Sequence, residues 1–583
     1  MASPSPGPPD TVAAGAPRAY RLRAVLFDFD GTLTEPDALD FPAAKRDLGC
    51  PPEQLLLEWV QSLPPGERRA TALAGLEAFE LAGARRSRPN RGAEALVRRL
   101  RDGGLKIGVL TRNGLAAVTT ALARFPDLRL EDFDVVVTRD HGAAPKPAPD
   151  GVLHAAQAMG VPPDELLVVG DFELDMQAGR AAGAVTAFLT NRDLEAAGDG
   201  GGASTEGAAE LPAVETSGTA PAGVVQCDVV VHGLDELDDV IWLGLPLPAG
   251  KLPGRLLAPF LDGVAGADPS VLVPAGIGED VAALDVTAVD TLVAHGDPIT
   301  LTGEHVGSHA VQVNLNDIAA SGADPRWLLA TVLLPEGTTP SKALAVLHDM
   351  AGAARDSGVS LVGGHTEVTA AVTMPLVSLT ALGTVARGEL RDKRDVQTGD
   401  HLILTKALAV EGTVLLADEA GDRLRTLGMD DAELAACREL RPLLSVVSEA
   451  RIAAGFAGVR ALHDVTEGGL ATAVRELAQA SGHGVHVRLD LVPVLPLTRR
   501  VCDLLGADPL GLIASGSLLL TSRPQQSAAV LAALAVAGIQ ATTIGEIGER
   551  GAGATAEAHG RPGVWPEFAV DEAARLLTGG PRS

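Results

Sequence analysis

Ala24-Val25-Leu26-Phe27-Asp28-Phe29-Asp30-Gly31-Thr32 constrains this chain more than any other stretch. An apolar run long enough for a buried strand delivers two carboxylates, one residue apart, at its C-terminal end, and the Gly-Thr pair lets the backbone turn away at once. Two like charges so close are costly to bury. A divalent cation and an incoming phosphate group are the usual reason to hold them there, so the first domain is expected to carry out phosphoryl transfer.

The pattern around this stretch is α/β. From Arg21 to Thr190, short aliphatic strands at Ala24–Phe27, Ile107–Leu110, Val135–Val137, Leu166–Val169 and Val185–Leu189 alternate with helical stretches, the signature of a Rossmann-like parallel sheet wrapped by helices. Residues 37–90 hold no strand pattern but carry Leu and Ala at helical spacing, as in Glu53–Ser62 and Ala70–Ala82, and are predicted to form a small helical cap over the strand ends. Residues 193–224 are mostly Gly, Ala, Ser, Thr and Glu, too poor in large aliphatics to repay the entropy of ordering. The following Cys227–Val231 and Leu234–Leu237 read as one more strand and helix, so the segment is an insertion within a first domain spanning residues 20–245. Residues 1–19 are predicted to be a disordered tail.

A Pro/Gly-rich stretch from Leu245 to Lys251 separates this domain from a mixed α+β remainder, which divides near Asp395–Asp400 into subdomains 251–395 and 396–550. The first mixes β-branched strands with Ala-rich helices. The second opens with the strand-like His401–Lys406 and contains a turn-rich His463–Leu470, and residues 551–583 read as a tail with a short helix at Phe568–Leu577.

At 583 residues the chain is long enough for three or four folding units. Acidic residues outnumber basic ones 75 to 47, and the net charge of −28 opposes a general affinity for nucleic acid or anionic membranes. A small, magnesium-escorted substrate suits such a surface. Cys50, Cys227, Cys437 and Cys502 lie far apart without CxxC spacing, which argues against a zinc site or a disulfide framework and for a reducing, cytoplasmic location. The N-terminal stretch lacks the apolar segment of a secretory signal. The longest uncharged run, Thr369–Ala386, is broken by Pro375 and laced with Thr and Ser, so it reads as strand and turn, not a membrane span.

The first domain contains the parts that phosphoryl transfer needs. Asp28 is the candidate nucleophile and Asp30 the acid/base. Thr111 follows a second strand, where its hydroxyl and the next amides can hold phosphate oxygens, and Lys146 between two prolines offers a fixed cation. Gly170-Asp171-Phe172-Glu173-Leu174-Asp175 ends a further strand, its two aspartates four apart on one face of the helix that follows, placed to bind magnesium with Asp28 and Asp30. This ordered set, DxDGT at Asp28–Thr32, Thr111, Lys146 and GDxxxD at Gly170–Asp175, resembles the haloacid dehalogenase-like hydrolases with a helical cap. The resemblance implies a magnesium-dependent phosphatase acting through an aspartyl-phosphate on a phosphorylated small molecule.

In the second half, acids recur beside glycines. Gly276-Ile277-Gly278-Glu279-Asp280 forms a glycine-rich turn with an acid pair, Asp297 follows in His295–Thr300, Asn316-Asp317 lie within Val313–Ala323, and Gly363-Gly364 precede His365-Thr366-Glu367. Dispersed carboxylates suit hard cations bridging a polyphosphate, with glycine-turn amides supplying anion contacts. The pattern resembles the aminoimidazole ribonucleotide synthetase (PurM-like) superfamily, most closely its hydrogenase-maturation-type members, through Asn314–Gly322, Pro325-Arg326-Trp327, His463–Leu470 and Leu504–Leu510. That resemblance implies ATP and Mg2+ bound by Asp280, Asp297 and Asp317, contacts from Gly278, Asn316, Gly363 and Gly364, and a homodimer formed through this domain. The maturation proteins carry a carbamoyl group on a C-terminal cysteine, whereas here the last cysteine is Cys502, so that chemistry is not expected. A fusion of phosphatase and ATP-binding module is therefore predicted. The rival readings of the second half are a small-molecule kinase of the thiamine-monophosphate kinase type and a nucleotide-sensing or assembly module without turnover.

Overall fold

The computed structural model describes residues 19–36, 39–191, 214–215, 225–264, 268–300 and 305–578. The predicted tail 1–19 lies outside the described residues except for Ala19, and so does the low-complexity segment 193–224 except for Val214–Glu215. The chain forms two compact units: Met1–Leu247 with Gly337–Ala345, and Pro248–Glu336 with Val346–Ser583.

The first unit is built on six parallel strands: β1 (Ala24–Phe27), β2 (Lys106–Leu110), β3 (Val135–Val137), β4 (Leu166–Gly170), β5 (Val185–Leu189) and β6 (Val229–Val231), in the spatial order β3-β2-β1-β4-β5-β6. All four residues of β1 are buried, as is every residue of β4 and β5, because helices cover both faces. That double burial explains why these strands read as unbroken aliphatic runs. Chain order reverses beside β1, so the C-terminal ends of β1, β2 and β4 open on one crevice, the usual ligand position of an open parallel sheet. Two details differ from the sequence reading. The sixth strand starts at Val229 instead of Cys227, and the helix after it runs Leu237–Leu243.

Between β1 and β2 the chain leaves the sheet as helices Phe41–Leu48, Leu56–Ser62 and Glu67–Ala84, and returns where Pro89 bridges Thr34. The helices share a small core of Leu56, Leu57, Trp59, Val60, Ala72 and Leu76. Asp40 starts the first by accepting the Ala43 N–H, and Gly49 ends it in the left-handed region that glycine adopts without strain.

The second unit holds two larger sheets. Strands Thr291–Ile299, Leu376–Val385, Asp324–Pro335, Ser360–Thr369 and Gly250–Lys251 form one, in that spatial order, with helix Val306–Ala320 packed on it. The uncharged run Thr369–Ala386 supplies its second strand. The other sheet orders Val459–Val465, Ser517–Ser522, His401–Thr405, Ala541–Arg550, His483–Arg488, Ala554–Ala558 and Arg561–Val564. The last two strands lie in the region read as a tail, and the terminal helix is Glu572–Thr578, shorter than the predicted Phe568–Leu577. His463-Asp464-Val465, read as turn, completes an edge strand whose residues pair with Ser517–Leu519. No helix among the described residues is long and apolar enough to cross a membrane.

Candidate active site

The crevice of the first unit collects the first set of acids. Asp28 follows β1, its N–H donating to Val169 O at 2.8 Å, which locks the end of β1 to β4. Carboxylate oxygens of Asp28, Asp171 and Asp175 lie within 4.8 Å of one another, and among the described residues no other such group of three is present. Asp171 sits in the turn before helix Glu173–Ala181, not on the helix face predicted for it, while Asp175 occupies the first helical turn and accepts the Phe172 N–H at 3.2 Å. Burial, then the charges of Asp28 and Asp175, push Asp171 up to about 8. Three converged carboxylates, with burial opposing the ionisation of Asp171 and Asp175, fit a hard divalent cation such as Mg2+.

Lys146 supplies the compensating charge. Its ammonium contacts both Asp28 and Asp175 and donates to Leu110 O at 3.1 Å. Burial alone would lower its pKa, but Asp175 and Asp28 more than reverse that and hold it charged. Asp30 stands apart from the converged group, contrary to its expected place among the metal ligands. Its Oδ2 accepts from Asn113 Nδ2 at 2.7 Å, and burial, with the Asp28 and Glu80 charges adding, lifts it to about 7. A carboxyl with that value can give and take a proton near neutrality. Thr111, buried at the end of β2, accepts the Asn113 N–H at 3.2 Å. Gly31 is required here: its φ is +75°, and a Cβ would lie 2.0 Å from Asp171 Oδ2.

These residues line a cavity of about 350 Å³ roofed by Phe41, Lys45, Leu55, Leu56, Leu57 and Leu76 of the helical insertion. Two ion pairs join insertion to sheet. Glu80 is buried against Arg139, with Nη2 donating to Oε2 at 3.1 Å, and also accepts the Gly114 N–H at 3.2 Å. Glu58 pairs with the more exposed Arg112.

The second unit disperses its predicted residues. Asp297 and Asp317 approach each other, the Asp297 charge helping burial lift Asp317 to about 6, and His295 Nε2 lies 3.2 Å from Asp317 Oδ2. Asp464, absent from the predicted set, joins them: burial and then the Asp317 charge raise it to about 6, and its buried Oδ2 has no hydrogen-bond partner among the described residues. Asp280 and Gly278 lie on an exposed turn outside this group. Asn316 is a structural cross-link, donating to Leu444 O and accepting the Val446 N–H, both at 2.8 Å. Gly364 is fixed by packing, because a Cβ there would fall 1.9 Å from Ala330 O, and Gly363 precedes it in the same strand. Asp297 also lines a cleft of about 740 Å³ with Glu411, Glu467, Gly468 and Asp571. The four cysteines are all buried, and burial pushes Cys502 up to about 12.

Comparison with known proteins finds three matching family models along the chain. A haloacid dehalogenase-like hydrolase model matches residues 22–183, and the N-terminal and C-terminal domain models of AIR synthase related proteins match 278–385 and 397–556. The carbamoyl dehydratase HypE of Escherichia coli (strain K12) is 32% identical over 288 residues, 47% of this chain and 82% of that protein. An uncharacterized hydrolase, YOR131C of Saccharomyces cerevisiae, is 34% identical over 171 residues, 29% of this chain and 78% of that one. This chain is a haloacid dehalogenase-like hydrolase fused to an AIR synthase related, HypE-like protein. The crystal structure of E. coli HypE aligns with 55% of the fusion and 99% of its own chain at a TM-score of 0.48 and 27% identity.

Within the hydrolase domain, sequence reasoning missed Asn113, Glu80 and Arg139. Asn113 was within reach, two residues past Thr111 on the same loop. Glu80 and Arg139 are 59 positions apart, and nothing local marks either as buried or paired. In the HypE-like domain, Asp464 lies in the His463–Leu470 motif, whose turn-rich sequence hides the edge strand that carries it.

Proposed function

We propose that the hydrolase domain cleaves phosphomonoesters of compact, largely apolar alcohols through an aspartyl-phosphate. The observation that carries this reading is the convergence of Asp28, Asp171 and Asp175 around the Lys146 ammonium at the mouth of β1. An Asp28 oxygen attacks phosphorus, and the bond from phosphorus to the leaving oxygen breaks. Asp30 gives that oxygen its proton, then takes one from the water that attacks the acyl phosphate, releasing phosphate and restoring Asp28. Thr111 and the amides after it orient the phosphoryl oxygens, and Lys146 offsets their charge. Asp28, Asp171 and Asp175 would hold Mg2+, which lends further positive charge to the same oxygens. Leu55, Leu56, Leu57, Leu76 and Phe41 leave room for an apolar leaving group. Asp28→Asn keeps the shape of the site and is expected to abolish magnesium-dependent hydrolysis of a generic phosphomonoester. Turnover at the wild-type rate would refute the assignment.

For the HypE-like domain we infer a magnesium–ATP site that includes Asp297 and Asp317, extended by Asp464, and a homodimer that covers Leu272, Ile277, Val281 and Leu292, all exposed on the first subdomain. Asp317→Asn should weaken ATP binding at fixed magnesium without touching phosphomonoester hydrolysis. Leu292→Glu should turn a dimer into a monomer by light scattering.

A further inference from the structure

A second cleft in the HypE-like domain, of about 630 Å³, has an opposite character. The segment joining the two subdomains, residues 388–398, forms one wall, and the starts of strands Val459–Val465 and His483–Arg488 with the end of Ala541–Arg550 form the other. Four arginines line it, Arg391, Arg394, Arg460 and Arg550, and Asp395 is the one acid of the lining, while Asp392 and Asp400 pair with Arg394 and Arg460 from outside it. In a chain with 75 acids to 47 bases, a lining in which Arg391 and Arg550 are left without a carboxylate partner among the described residues is a local reversal of sign, and a positive pocket concentrates anions from solution.

The hydrogen bonds of these arginines leave donors to spare. Arg391 gives one nitrogen to Ala454 O, while its buried Nε meets no acceptor among the described residues. A buried donor without a partner is costly, and an incoming acceptor would remove that cost. Arg460 is held in place by Asp400 at 3.0 Å and by Gln397 Oε1 at 2.7 Å, which orients its fork without using all five N–H groups. Arg394 is tied to Asp392. Arg550, opposite His483 in the strand register, has no side-chain hydrogen bond or ion pair among the described residues. His483 donates through Nδ1 to Ser481 O at 3.0 Å, which leaves Nε2 to meet a ligand hydroxyl.

Arginine forks match the geometry of phosphate oxygens, and a cleft of this size exceeds what one phosphate fills. We propose that this cleft binds a small molecule carrying at least two phosphate groups, without a metal ion. It thereby differs from the Asp297, Asp317 and Asp464 cluster, whose carboxylates repel a bare polyphosphate. The net charge of −28 disfavours an extended polyanion, which would have to lie across acidic surface beyond the cleft.

The experiment is calorimetric titration of the full chain with tripolyphosphate in EDTA, at 0.15 M salt. One equivalent is expected to bind, with affinity falling at least tenfold in Arg391→Gln/Arg550→Gln and unchanged in Asp28→Asn and Asp317→Asn. Should the double variant lower the thermal midpoint, Arg550→Ala, at an exposed position, carries the test alone. The proposal is overturned if binding in EDTA is absent, if it survives loss of these arginines, if Asp28→Asn or Asp317→Asn removes it, or if a single-stranded oligonucleotide binds more tightly.

Discussion

Removing the positive partner of the Glu80–Arg139 pair isolates one buried charge. The side chains are 5% and 12% exposed, so Arg139→Met leaves the Glu80 carboxylate in a site where burial already raises its pKa and only Arg139 and the Gly114 N–H hold it down. Breaking a buried pair from one side costs about 3–5 kcal/mol, mostly as an uncompensated charge. At about 2–4 °C per kcal/mol for a domain of this size, the hydrolase unfolding transition should fall by roughly 6–20 °C. Glu80→Gln in the same chain removes the stranded charge and keeps an oxygen for Gly114, so the double variant should recover much of the loss. Thermal unfolding of the two single variants and the double closes a mutant cycle. A double variant as unstable as Arg139→Met, or less stable, would refute the assignment of the cost to a stranded carboxylate.

Other expectations follow from the same geometry. Glu80→Gln removes one of the charges that raise Asp30, so the high-pH limb of phosphomonoester hydrolysis should move to lower pH. Asp464 has a folded-state value of about 6 against an ordinary 3.8, so the folded form binds the extra proton and the group costs stability as pH rises through that window. In metal-free protein Asp464→Asn should therefore stabilise the HypE-like domain at pH 7 by at most about 3 kcal/mol, read as a higher unfolding midpoint, and by much less at pH 4. Gly364→Ala meets Ala330 O and a φ of +151°, and should destabilise that domain by about 2–5 kcal/mol, as seen by denaturant unfolding, whether or not ATP is present.

The hydrolase domain was the more legible half. Its central strands are buried on both faces, so each appears as an aliphatic run, and its candidate site residues follow those runs directly: Asp28 after β1, Thr111 after β2, Asp171 after β4. Asp171 was misplaced onto a helix because a four-residue spacing fits helix and turn-plus-helix alike. In the HypE-like domain, Asn316 and Gly364 carry residue types that ligand sites and packing both demand, and only the atoms around them, Leu444 O and Ala330 O, distinguish the two. The final strands, Ala554–Ala558 and Arg561–Val564, hold Ala, Glu, Arg, Pro and Gly with only one Thr and one Val, a composition with a weak β signature. They are strands because a sheet edge was available to pair with.

The two ion pairs between insertion and sheet are unequal, and that inequality sets how each corner of the roof responds to salt. Glu80–Arg139 is buried beyond the reach of salt, whereas Glu58–Arg112 is exposed enough to be screened and to exchange with water. The roof is thus pinned at one corner and merely fastened at the other. Added electrolyte is expected to weaken the fastener at Glu58 and to leave the pin at Glu80 intact.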